Sequence, residues 1–80
     1  MEFSIEEFEK VLYDYNLEQY AIHFNTFLNI IESVYNNSNK TKQVLIHNNL
    51  KFLLEAYENK DYLRTFEIIK YRFMKVIDEN

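Results

Sequence analysis

The sequence predicts an all-α protein, an antiparallel bundle of three long helices and one short N-terminal helix. Three observations lead to this fold class. The 80 residues contain no glycine and no proline, apolar residues recur at intervals of three and four, and asparagine-rich stretches separate the apolar series. Glycine and proline are the usual residues of tight turns and strand bends, so a chain without them is most easily built from helices. The length predicts that residues 1–80 form a single helical domain.

The first two predicted helices are separated by a break in the phase of the apolar pattern. Ser4 and Glu7 form a capping-box pattern at the start of helix 1, which we expect over residues 4–14. A new apolar series begins out of phase and predicts helix 2 over residues 17–35. The two stripes are Ile5, Phe8, Leu12 and Tyr15, and then Leu17, Tyr20, Phe24, Phe27, Ile31 and Val34. The phase break at residues 14–16 predicts a tight turn, and a single bent helix is the alternative.

Two further turns delimit the second half of the chain. Residues 36–40 form a loop after which Ser38 or Asn39 caps helix 3, expected over 39–58. Residues 59–61 form the next turn, with Asn59 as C-cap of helix 3. Asn59 or Asp61 then caps the start of helix 4, which we expect over residues 61–78. The stripes are Ile46, Leu50, Leu53 and Tyr57, widened by Leu54, and then Tyr62, Phe66, Ile69, Phe73 and Val76. We expect asparagine to adopt the left-handed conformation that glycine usually supplies at helix ends.

Several apolar residues lie outside these stripes when the helices are projected at 100° per residue. The predicted contact residues are Leu45, Phe52, Ile68, Tyr71 and Met74. A small monomeric bundle needs about one apolar stripe per helix, so a partial second stripe predicts contact with a second copy or with another protein. The simpler alternative is ordinary scatter, because single exposed apolar residues are normal on protein surfaces.

The charge is unevenly distributed along the chain. The net charge is −4, with −6 on residues 1–36 and +2 on residues 37–80. Opposite halves can attract each other within the fold or across a dimer. The same asymmetry is compatible with an alternative function, an acidic phage or mobile-element inhibitor whose residues 1–36 occupy a basic surface of a nucleic-acid-processing protein. The basic residues of helix 4 (Arg64, Arg72 and Lys75) are too few to predict nucleic-acid binding.

Few residues carry recognisable chemistry. The chain has no cysteine, and His23 and His47 lack the spacing of helical metal sites. No serine or threonine lies in a nucleophile motif, and glycine-rich phosphate loops are excluded. We therefore expect no enzyme, no cofactor and no metal.

The composition of the chain also predicts the cellular compartment of the protein and the kind of organism that encodes it. No apolar run is long enough to span a membrane, and the acidic start does not resemble a signal peptide, so we expect a cytoplasmic protein. Ten asparagines with many Lys, Ile, Tyr and Phe residues suggest an A/T-rich coding sequence of bacterial or phage source. The sequence thus predicts a non-enzymatic protein-interaction module that acts through apolar helix faces as a homo-oligomer.

Overall fold

The computed structural model describes residues 3–78, and these fold into helices joined by short turns, with no strand among them. The elements are α1 (Ile5–Tyr13), α2 (Leu17–Asn36), α3 (Lys40–Glu58), α4 (Tyr62–Ile68), a π-helical turn (Ile69–Phe73) and α5 (Met74–Asp78). The predicted all-α class is confirmed. The structure also resolves the alternative at the first turn, because α1 and α2 are separate helices rather than one bent helix.

A side chain caps the start of each of the first four helices. The capping residues are Ser4, Asn16, Asn39 and Asp61. The shortest of these hydrogen bonds is 2.8 Å, from the backbone N–H of Lys42 to Oδ1 of Asn39. Asn39 rather than Ser38 therefore caps α3. Each such cap stabilises a helix by about 0.5–2 kcal/mol because it satisfies a backbone donor that has no partner inside the helix.

The α1–α2 and α3–α4 turns have the same backbone conformation. Tyr15 and Lys60 hold positive φ angles of 55° and 59°, the left-handed conformation. In each turn this residue and the one after it donate their N–H groups back to carbonyls of the preceding helix, as in a Schellman motif. The bonds are Tyr15 to Leu12 (3.2 Å), Asn16 to Val11 (3.1 Å), Lys60 to Tyr57 (3.0 Å) and Asp61 to Ala56 (2.9 Å).

The expectation that asparagine takes the left-handed position is wrong. Asn59 has φ −80°, Asn37 has φ −102°, and within residues 3–78 the positive φ angles belong to Tyr15 and Lys60. In the α1–α2 and α3–α4 turns the last of three residues caps the next helix and the first continues the previous one, so the left-handed conformation falls on the middle residue. The α2–α3 turn, residues 37–39, has the same length and connects its helices without a positive φ angle.

The core is largely aromatic. Helix α1 packs against α2 and α4, while α3 packs against α2, α4 and the π turn. The fully buried side chains include Phe8, Tyr20, Phe24, Phe27, Ile46, Leu53, Ile69 and Phe73. The rings of Phe24 and Tyr57 are stacked with centroids 4.0 Å apart. The Tyr20 hydroxyl donates a hydrogen bond of 2.9 Å to the carbonyl of Tyr62, so the buried hydroxyl has a partner.

The last helix contains a π turn, which the periodicity of the sequence did not predict. The N–H of Met74 bonds to the carbonyl of Ile69, five residues earlier. This wider turn keeps Ile69 and Phe73 in the core and turns Met74 towards it, where Met74 is half-buried. Ile68 is also buried, at 6% exposure. The expectation that Ile68 lies outside the buried arc is wrong, because α4 is flanked by both α1 and α3 and a wider arc is covered.

Candidate protein-interaction surface

Exposed apolar side chains are concentrated in two regions of the molecule. Among residues 3–78, ten large apolar side chains are at least 41% exposed: Tyr13, Tyr15, Leu17, Ile22, Val44, Leu45, Phe52, Leu54, Leu63 and Tyr71. Four of them lie on α3. Four others lie at or beside the α1–α2 and α3–α4 turns, and these two regions are therefore the candidate interaction surfaces.

On α3, Phe52 is held against an arginine from the π turn. The guanidinium carbon of Arg72 lies 5.7 Å from the centroid of the Phe52 ring. The same guanidinium donates a hydrogen bond of 3.3 Å from Nη1 to Oδ1 of Asn49, which is 9% exposed. Leu45 lies two helical turns before Phe52, and both side chains are 50% exposed. We call Leu45, Asn49, Phe52 and Arg72 the Phe52 face.

The Phe52 face combines an apolar surface with a fixed cation. The Arg72 guanidinium lies within the distance at which an aromatic ring attracts a cation. The bond to Asn49 uses one of the five N–H donors of an arginine, so other donors can reach an acceptor on a partner. Because Asn49 and the ring already restrain Arg72, less side-chain entropy is lost on binding than for a freely rotating arginine.

The predicted contact residues are brought together only in part. Leu45 and Phe52 share one face, as their spacing predicted. Tyr71 is exposed, and its ring has the Lys70 ammonium 5.4 Å from the centroid. The residue of the last helix that reaches Phe52 is instead Arg72. Met74 and Ile68 pack with the core, as described above.

The sequence does not predict that Arg72 and Asn49 take part in this surface. Arg72 stands out there only as one of the few basic residues of the last helix. A usable signal did exist, since Asn49 lies four residues after Leu45 and three before Phe52, on the same side of α3. The partner of Asn49 depends on how the last helix packs, which no local pattern reveals.

A cleft lies between the α1–α2 and α3–α4 turns, the two turns that contain a left-handed residue. Its volume is about 360 Å³, and its lining residues are Leu12, Tyr13, Tyr15, Leu17, Lys60, Asp61, Tyr62 and Leu63. Both left-handed residues, Tyr15 and Lys60, contribute to it. The cleft could not be predicted from the sequence, because its two halves belong to turns that are far apart along the chain.

The two histidines of the described region lie in different surroundings. His23 lies beside the core with its ring 6.5 Å from that of Phe8, whereas His47 is exposed on α3. Across residues 3–78, no three His, Asp or Glu side chains are grouped closely enough to hold a metal ion. Burial raises the pKa of the Tyr20 hydroxyl far above its ordinary value of 10. Burial thus favours the neutral form of Tyr20, in which the hydroxyl donates its hydrogen bond to the carbonyl of Tyr62.

Comparison with known proteins gives no relative: no family model, no curated protein and no solved structure matches this chain. Of the helices described, none is both long enough and apolar enough to cross a membrane.

Proposed function

We propose that this protein is a small non-enzymatic interaction module that binds a second copy of itself or another protein through exposed helix faces. The observation that carries the proposal is the Phe52 face, where a half-exposed aromatic ring lies beside an arginine held by a buried asparagine. Aromatic and arginine side chains dominate the energetics of protein interfaces. In this proposal the helices form an antiparallel bundle that presents the face as a rigid surface.

The binding free energy that a partner gains by covering Phe52 is large enough for an anchor residue. A phenylalanine buries roughly 200 Å² in a complete core environment. Because Phe52 is 50% exposed, about 100 Å² of that area is left for a partner to cover. At about 25 cal/mol per Å², covering it contributes about 2.5 kcal/mol, the size expected of a hot-spot residue.

Site-specific photo-crosslinking tests the proposal. A benzophenone side chain at position 52 is expected to capture the partner, whether that is the protein itself or another protein. Leu63 provides a matched control, since it is 52% exposed but lies in the turn-end cleft. Excess unlabelled wild-type protein should compete for the partner and so reduce the yield of the cross-link formed at position 52. The Phe52→Ala variant, added in the same excess, should reduce that yield less. Equal yields at positions 52 and 63, or no product at position 52, would contradict the proposal.

A further inference from the structure

A second exposed stripe runs along the whole length of α3. It consists of Lys40, Val44, His47, Lys51, Leu54 and Glu58, spaced 4, 3, 4, 3 and 4 residues apart. All six side chains are exposed, including Val44 at 52% and Leu54 at 41%. Such spacing keeps residues on one side of a helix, as in the contact seam of a coiled coil. We call these six residues the α3 stripe, and it lies on a different side of α3 from Phe52.

The α3 stripe is complementary to itself when read in the opposite direction. If a second α3 lies antiparallel alongside the first, Lys40 faces Glu58 of the second copy, and Val44 faces its Leu54. Between these pairs, His47 faces Lys51 of the second copy, and an imidazole nitrogen can accept a hydrogen bond from an ammonium group. A two-fold axis level with the middle of α3 generates every pair twice, as a symmetric dimer requires.

The terminal charges of α3 are a second, independent observation. This helix has no acidic residue in its first turn and no basic residue in its last turn. It begins with Lys40 and ends with Glu58, the reverse of what its own macrodipole favours. The neighbouring ends of α2 and α4 offset part of that cost. An antiparallel second α3 offsets more of it, because it brings an opposite charge to each end.

A groove beside the stripe leaves room for side chains of a second copy. It lies between α2 and α3, has a volume of about 270 Å³, and is lined by Leu28, Ile31, Glu32, Tyr35, His47, Leu50 and Leu54. His47 and Leu54 belong to both the groove and the stripe. Helix α3 has 19 residues, so the contact would extend over about 28 Å.

We propose that the α3 stripe is the contact surface of an antiparallel homodimer. This inference rests on the proposed function because it assumes association, and it specifies the partner as a second copy and the register of the contact. It uses a different surface from the Phe52 face, so the two proposals can fail separately.

Charge exchange tests the register. Lys40→Glu or Glu58→Lys alone places two like-charge pairs in each dimer, and we expect dimerisation to weaken by about 5- to 30-fold. The double variant, or an equimolar mixture of the two single variants, should recover wild-type affinity in analytical ultracentrifugation. Each single change places a charge that suits the dipole of α3, so loss of folding is not expected to confound the result.

Cysteine cross-linking gives an independent readout, and the natural chain contains no cysteine to interfere. A mixture of Val44→Cys and Leu54→Cys variants should form a disulfide-linked heterodimer. Val44→Cys alone should not, because the two copies of residue 44 would lie about 15 Å apart, beyond the reach of a disulfide.

Three results would overturn the homodimer. The first is a wild-type protein that sediments only as a monomer at about 100 µM. The second is failure of the charge exchange to restore affinity. The third is a dimer that survives both single charge changes but is lost in Phe52→Ala. That last result would support the proposed function through the Phe52 face while excluding the α3 stripe.

Discussion

Glycine in place of Lys60, which has a left-handed conformation, is expected to stabilise the protein. A residue with a Cβ atom at positive φ costs roughly 1–2 kcal/mol, because its Cβ crowds the backbone. Glycine avoids that clash but loses about 0.5–1 kcal/mol more conformational entropy on folding. Lys60→Gly should therefore increase the free energy of unfolding by about 0.5–1 kcal/mol. For a domain of this size the melting temperature should rise by about 3–6 °C.

The adjacent residue provides a control with the opposite sign. Asn59 has φ −80°, where glycine relieves no strain. Asn59→Gly should thus lower the free energy of unfolding by about 0.5–1 kcal/mol. Lys60→Ala removes the charge but keeps the Cβ atom, so it isolates the conformational effect from the electrostatic one.

Urea denaturation followed by circular dichroism at 222 nm would measure all three variants. Two-state analysis suits a single domain of this length. Stabilisation by Asn59→Gly together with destabilisation by Lys60→Gly would refute the reasoning, since it would put the left-handed residue one position earlier. Equal stabilisation by Lys60→Ala and Lys60→Gly would attribute the effect to charge rather than to backbone conformation.

The remaining predictions concern the buried tyrosine, a cap and the core. Because burial raises the pKa of Tyr20, the folded protein keeps a proton that the unfolded chain loses near pH 10. The Tyr20 contribution to stability should therefore fall by about 1.4 kcal/mol per pH unit above pH 10. Urea denaturation at pH 8 to 11 should show that the free energy of unfolding falls less steeply with pH for Tyr20→Phe than for the wild-type protein. Identical slopes for the two proteins would contradict the burial of the Tyr20 hydroxyl. Asn39→Ala should cost about 1 kcal/mol by removing the α3 cap, whereas Asn39→Ser should largely preserve stability in the same assay. Phe27→Ala should cost about 3–5 kcal/mol in thermal unfolding, since its ring is fully buried against Phe73; a loss below 1 kcal/mol would argue against this packing.

The fold class could be read from the sequence because helical periodicity is a local property. The stripe from Tyr20 to Ile31 is buried as its 3, 4 spacing indicates, and the three turns fall where asparagine and aspartate interrupt the apolar series. The features that were missed depend on more than local pattern. The position of the left-handed residue depends on which turn residue must cap the next helix. Burial of Ile68 depends on α4 having two neighbours.

Of the Phe52 face, only the part that lies on α3 could be predicted from the sequence. The spacing of Leu45 and Phe52 indicated a shared side of α3, and the structure places them there. The role of Arg72 could not be predicted, because it comes from a different helix and its position depends on packing between the two. The cleft formed by Tyr15 and Lys60 has the same origin, since it unites two turns that are distant in sequence.

The π turn at Ile69–Phe73 affects how the last helix of this chain would align with that of a homologue. A π turn holds about one residue more than the α-helical turn it replaces, while the helix on either side continues. A homologue with a wholly α-helical last helix would therefore carry one residue fewer between Ile69 and Met74. An alignment should then open a single-residue gap within the helix, a place where gaps are ordinarily penalised. Without that gap, the core positions Phe73 and Val76 would be matched to the wrong residues.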